Sequence, residues 1–220
     1  MQIAYKDLDS SKLSFYPFSI DTSLLGKFTA RRLLNNLLHV SNDAPQKDWQ
    51  RSEAIMKYTS LPFEVYPSRI EKPIIDQTIT YKVKNILRQS VGLKPIKTLP
   101  VGYVDHKKVV EKYKEFDGFV HIAKDIKDKV HIDGKYTASF IEAGATGAIL
   151  FWHDTFGLGN DLKTVFSLPL DEKKAAEEIL RIRETIDIVK HSKETRREML
   201  NTFNPKTSVA IRARKIKELL

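Results

Sequence analysis

Short apolar runs alternate with longer, charge-rich amphipathic segments along most of this chain. The apolar runs fall at Leu37–Val40, 61–66, 96–104, Gly118–Ile122, 148–152 and 164–168. Each is short enough to be a buried strand and too short to be a helix of ordinary length. Between them lie segments with helical periodicity, at about 46–58, 74–88, 107–116 and 136–145. A long helical region then begins behind Asp171, whose carboxylate is a good N-cap, and the AAEEILRIRE run follows it. The break at Asn204-Pro205 precedes a last helix at about 206–220.

Strands that alternate with helices imply right-handed βαβ crossovers and a parallel sheet. The pattern therefore predicts an α/β fold: a single Rossmann-like domain, with a parallel sheet of about six strands and helices on both faces. Residues 1–30 are less regular and read as a linker segment. Residues 31–204 read as the domain, and 205–220 as a C-terminal helix.

One stretch carries most of the functional information, DGKYTASFIEAGATGAILFWHDTFGLGND at 133–161. It reads as loop, helix, strand and glycine-rich loop in succession. In a parallel sheet this puts a helix N-terminus beside a strand exit, at the edge where phosphate-bearing ligands bind. Asp133, Gly134, Lys135, Tyr136 and Thr137 form the start of the helix, where free backbone N–H groups are able to receive a diphosphate. Glu142 follows among apolar or small neighbours (Phe140, Ile141, Ala143 and Ala145), so its carboxylate needs partners. A pair of ribose hydroxyls is one such partner, and an ordinary helix glutamate is the plainer reading. The turn after the first strand, SNDAPQKDW, lies at the same edge, and Lys47 in it is placed to meet a phosphate or simply to be solvated.

Several chemistries are excluded or disfavoured. With no cysteine there are no disulfides, thiolate nucleophiles or thiolate zinc sites, which fits a cytoplasmic protein. The P-loop pattern, the G-x-G-x-x-G of dinucleotide domains and the G-x-S-x-G elbow are all absent. His131 lacks the spacing and the third ligand of a zinc site, and His153 at a strand exit reads as a loop histidine with a local hydrogen bond in preference to a ligand contact. The net charge of +9 allows a nucleic acid, an anionic membrane surface or an anionic small ligand as partner. The basic residues after Arg181 are interspersed with acidic ones and nearly without aromatics, as on a solvated helix face, so nucleic acid is not the expected partner.

The order of these features resembles the C-terminal, donor-binding domain of a GT-B glycosyltransferase of the retaining, family-4 type (glycosyl transferases group 1). The resemblance covers nearly the whole chain. Residues 15–21, FYPFSID, look like the linker into that domain. Val40-Ser41-Asn42 with Lys47 matches its "vGRl…KG" turn. Val101-Gly102-Tyr103-Val104, the following helix and Phe116-Asp117-Gly118-Phe119-Val120 are similar to "fxGxv…l…yxxaDvfv". Residues 141–147, IEAGATG, resemble "lEAmAxG".

The resemblance implies roles. Lys47 would contact the donor diphosphate, Ser41 and Asn42 would border the donor, and Glu142 would hold the ribose, with Lys47 and Glu142 carrying the catalytic weight. Backbone near Tyr103 and Val104 would line the base pocket. The N-terminus of the helix at Tyr136 and Thr137 would stabilise charge on the departing nucleoside diphosphate without a metal or other cofactor. The implied reaction moves a hexose from a nucleoside-diphosphate sugar to an acceptor. The implied partners are the nucleotide sugar, a separate N-terminal acceptor-binding domain or chain, and peripheral contact with a membrane.

Two positions depart from the family. Asn42 stands where the family has an arginine. In the family's E-x7-E pattern the first glutamate falls on Gly134; either the adjacent, shorter Asp133 substitutes as the catalytic carboxylate, or Gly134 makes room for a different sugar with Lys135 supplying compensating charge. The expected states are an expressed fragment, a half that pairs with another chain, or a domain that has lost catalysis. A non-catalytic nucleotide-sugar-binding or assembly subunit and a basic nucleic-acid-binding protein are the rival functions.

Overall fold

A computed structural model describes residues 19–42, 47–67, 79–92, 105–123, 136–153 and 162–219. Five strands make one sheet: β1 (Leu37–Val40), β2 (Phe63–Tyr66), β3 (Gly118–Ile122), β4 (Ile149–His153) and β5 (Val165–Ser167). All neighbours are parallel, in the order β2-β1-β3-β4-β5. Five of the predicted strands are these, and the candidate at 96–104 lies outside the described residues. The chain adds β2 on one side of β1 and β3 on the other. The winding direction therefore reverses between β1 and β3, which opens a crevice at their carboxyl ends.

The strands carry apolar residues on both faces, as the continuous runs require. On one face Leu38, Phe119, Leu150 and Trp152 form a core with Val110, Tyr113, Phe140, Ile141 and Met199. These come from the helices α3 (His106–Glu115), α4 (Ala138–Ala145) and α6 (Ile188–Thr202). On the other face Leu37, Val120, Ile149 and Phe151 pack against Ile55, Met56, Ile179 and Ile182. Those belong to α1 (Trp49–Tyr58) and α5 (Glu172–Thr185). Each large side chain removed from water in these layers contributes roughly 1.5–3 kcal/mol. Two further helices, α2 (Ile79–Ser90) and α7 (Pro205–Leu219), complete the described elements.

Helix starts are set by caps. Asp48, Asp105, Thr137, Asp171 and Asp187 each accept a backbone N–H from the first turn of the helix they precede. Two expectations are corrected by this. The helix predicted from 46 begins at Trp49, because Asp48 takes the cap and Lys47 is held in an isolated antiparallel bridge to Ala123. The long helix predicted after Asp171 is two helices, since Ile186 is extended (φ −102°, ψ 153°) and Asp187 caps a new start.

The small-residue run after Glu142 has a packing cause. Gly147 turns the chain from α4 into β4 at φ 87°, and a Cβ there would lie 2.6 Å from the Phe28 ring and 2.7 Å from Ser192 Oγ. A Cβ on Gly144 would meet Leu150 at 2.7 Å and Met199 at 2.8 Å, so glycine lets α4 lie close to β4 and α6. Ahead of β1, Ile20 and Leu25 are buried in the α3–α4–α6 core. Arg31 is buried as well, tying the segment before β1 to the far ends of α3 and α4.

Candidate active site at the carboxyl edge of the sheet

β1 pairs with β3 at Leu37↔Gly118 and Leu38↔Phe119 and the pairing does not extend beyond them. From there His39 bridges the strands with its ring. Its Nδ1–H donates to Val120 O at 2.9 Å, which leaves Nε2 to accept from the Ser41 hydroxyl at 2.8 Å in the neutral tautomer. The His39 ring stacks on His121 with centroids 5.5 Å apart, and His121 stacks on Trp152 at 4.8 Å. The floor of the crevice is thus a buried, flat column of rings, which the sequence reading missed. Its signal was present: His39 and His121 stand inside otherwise apolar strands, where a polar ring must be bonded.

Around this floor the structure gathers part of the expected set. Ser41 is buried and Asn42 exposed at the end of β1. Lys47 is half-buried beside Ala123, just past the end of β3, and the next residue anchors it, Asp48 N donating to Ile122 O at 3.1 Å. Thr137 caps α4 with its hydroxyl 3.3 Å from Phe140 N. Helix geometry leaves the N–H groups of Ala138 and Ser139 without intrahelical partners at this edge. The Tyr136 ring packs inward against Phe140, Trp152 and Phe203, so its contribution to the edge is backbone. Tyr103, Val104, Asp133, Gly134 and Lys135 lie outside the described residues.

Glu142 sits in the second turn of α4 and faces α3. Its Oε1 is 2.9 Å from His106 Nε2, at the N-terminal end of α3, and the Tyr113 hydroxyl also bonds to the carboxylate. Only 13% of the Glu142 side chain is exposed. Burial holds its carboxyl above the usual carboxylate range, while His106 and then Tyr113 pull it back. Tyr113 is itself pushed well up, first by burial and then by the Glu142 charge. A carboxylate offers about four lone-pair sites, so two protein donors leave it able to accept more.

A stability prediction follows from the raised value. The folded state holds the Glu142 proton more tightly than the unfolded chain does. That contribution is complete below the unfolded value and is lost as pH rises through the folded one. Glu142→Gln, which cannot ionise, should therefore gain stability relative to the parent as pH rises from about 3 to 6. Urea unfolding of both proteins across this range measures the difference, and a difference independent of pH contradicts the reading.

Two further atoms mark the edge. Among the described residues, Trp152 Nε1 and His153 Nε2 are buried without hydrogen-bond partners. His153 Nδ1–H donates to Leu168 O at 2.8 Å, so Nε2 is the acceptor of the neutral ring. A donor and an acceptor are thus left unsatisfied at the end of β4, where each costs about 1–3 kcal/mol.

No protein-family model matches the sequence, and no curated protein matches it. Solved structures do. A TarM mutant from S. aureus, in complex with fondaparinux, alpha-GlcNAc-glycerol and UDP, aligns over 93% of this chain and 39% of its own, with a TM-score of 0.61 and 11% identity. AviGT4, a glycosyltransferase involved in avilamycin A biosynthesis, aligns over 94% of this chain and 58% of its own, with a TM-score of 0.60 and 13% identity. Sucrose-phosphate synthase from Thermosynechococcus elongatus aligns over 92% and 49%, with a TM-score of 0.55 and 17% identity. The chain spans 39% to 58% of the length of these structures. The fold is a GT-B glycosyltransferase-like α/β domain. Among the described residues no helix is long and apolar enough to cross a membrane.

Proposed function

We propose that this domain binds the nucleotide-sugar donor of a glycosyltransferase reaction, a hexose moving from a nucleoside diphosphate to an acceptor bound by a separate N-terminal domain or chain. The observation that carries the reading is convergence. The carboxyl ends of β1, β3 and β4 and the N-termini of α3 and α4 meet at the one edge where the winding direction reverses, in a fold shared with glycosyltransferases. TarM and the pneumococcal O-GlcNAc transferase GtfA have both been solved with UDP.

In this reading the nucleotide ribose donates its hydroxyls to Glu142, beside His106. The diphosphate lies against the Ala138 and Ser139 N–H groups, with Lys47 supplying charge from the β1 side. Ser41 and Asn42 border it, and the base lies toward Tyr103 and Val104. As the bond to the hexose breaks, negative charge grows on the diphosphate. The helix N-terminus and Lys47 would stabilise it electrostatically, a role that asks for no metal. Asp133, Gly134 and Lys135 precede this helix and would border the sugar.

A second reading, a non-catalytic nucleotide-sugar-binding or assembly subunit, is favoured by two features. Gly134 has no carboxylate to serve the sugar, and Glu142 already holds two protein partners. The two readings share the binding step and part at transfer once an acceptor-binding partner is added.

Thermal melts with a panel of nucleoside diphosphates and nucleotide sugars test the shared step. At a hundred times its Kd a ligand stabilises the folded state by about 2.7 kcal/mol, so at least one of the panel should raise the Tm by several degrees. A flat panel removes the donor site from both readings.

A further inference from the structure

At the opposite edge of the sheet lies a second site, and we infer that it binds a phosphate group. A recess of about 140 Å³ opens where the segment before β1 meets the C-terminal ends of α3 and α4. Its walls include Lys27, Phe28, Arg31, Lys114, Thr146 and Arg196, four cations and no carboxylate. The donor edge is at the other ends of the same two helices, on the order of 12–15 Å away at 1.5 Å per residue. The two sites are therefore separate, and this inference does not rest on the donor reading.

Two of the cations have work in the fold. Arg31 donates to Tyr113 O at 2.7 Å, Phe116 O at 2.9 Å and Thr29 O at 3.2 Å. Arg196 donates from Nη1 to Ala145 O at 2.6 Å and lays its guanidinium 4.7 Å from the Phe28 ring centroid. All but the bond to Thr29 O satisfy carbonyls at helix ends. They leave most of the Arg196 N–H groups unused, in a planar fork suited to phosphate oxygens.

The other two cations serve no such purpose. Lys27 and Lys114 are exposed, and among the described residues neither has a hydrogen-bond or ion-pair partner for its ammonium group. Lys114 nevertheless comes in close to the chain, its Nζ 3.1 Å from where a Cβ on Gly26 would stand. Gly26, at φ 62°, makes that approach possible. Four positive charges around one small recess repel one another, and an anion among them would relieve that repulsion. A recess of this size suits a single phosphate, free or as a monoester, and does not suit an extended polyanion. The same chemistry is offered by a dissolved phosphate and by a lipid headgroup.

Calorimetric titration with inorganic phosphate at constant ionic strength, made up with chloride, tests the site. The parent should show saturable one-to-one binding. Lys27→Gln with Lys114→Gln, two exposed positions where folding is not at risk, should weaken it by about tenfold or more. Lys174→Gln, an exposed lysine on α5, should leave it unchanged. Vesicles of phosphatidylcholine with and without phosphatidic acid separate the sources. Retention that needs both phosphatidic acid and the two lysines assigns the site to a headgroup, and binding of inorganic phosphate alone assigns it to a soluble ligand. Absence of phosphate-specific binding in both formats, or binding lost in Lys174→Gln and kept in the double variant, overturns the inference.

Discussion

Replacing Arg31 with leucine is expected to lower the unfolding free energy by roughly 2–4 kcal/mol. The side chain is buried and donates to Tyr113 O, Phe116 O and Thr29 O, with a weaker bond to Thr146 Oγ1 at 3.4 Å. Leucine fills much of the space but satisfies none of these acceptors, and each buried carbonyl left alone costs about 1–3 kcal/mol. An opposing effect sets the upper bound. Burial already depresses the Arg31 pKa, with Asp117 only partly restoring it, so removing the charge returns some desolvation energy. The losses outweigh that gain because one guanidinium serves three acceptors, of which Tyr113 O keeps only the Thr146 hydroxyl at 3.3 Å. Urea unfolding measures the change, and a loss below about 1 kcal/mol would show that water replaces the guanidinium at these carbonyls.

The second large effect is expected on ligand binding. Glu142→Ala should reduce the affinity for a nucleoside diphosphate by about ten- to a hundredfold, the range for losing hydrogen bonds to a charged acceptor. The fold should survive the change. The buried carboxylate is held above its usual range by desolvation, so its removal takes away a cost along with the His106 and Tyr113 bonds. A buried carboxylate held above its usual range at this edge fits a binding site.

The sheet was legible in the sequence because strands of a parallel sheet are buried on both faces. Leu37–Val40 and Gly118–Ile122 stand as predicted, and the other three described strands lie within the predicted runs or a residue beyond them. The break between α5 and α6 was not legible. The charged periodicity on the two sides of Ile186 is nearly continuous, and one extended residue followed by an aspartate cap makes the turn. Arg31 and Arg32 are alike in sequence, yet one is buried and the other exposed, a choice made by α3 and α4 more than eighty residues on.

The candidate site shows the same division. Glu142 was visible as a carboxylate among apolar neighbours that needed partners. His106 is 36 residues away from it, and nothing in its own surroundings marked it as that partner. The stacked column of His39, His121 and Trp152 required the strand order, which local pattern does not contain. Lys47 was placed at the correct edge. Its backbone bridge to Ala123 was beyond reach, because it depends on how β1 and β3 sit side by side.

The most direct measurement is a calorimetric titration of UDP into this chain, run in parallel on the parent and on Glu142→Ala. The account predicts one-to-one binding in the parent and an affinity at least about tenfold weaker in the variant, with both proteins folded. No binding in the parent, or equal affinity in the two, would contradict it.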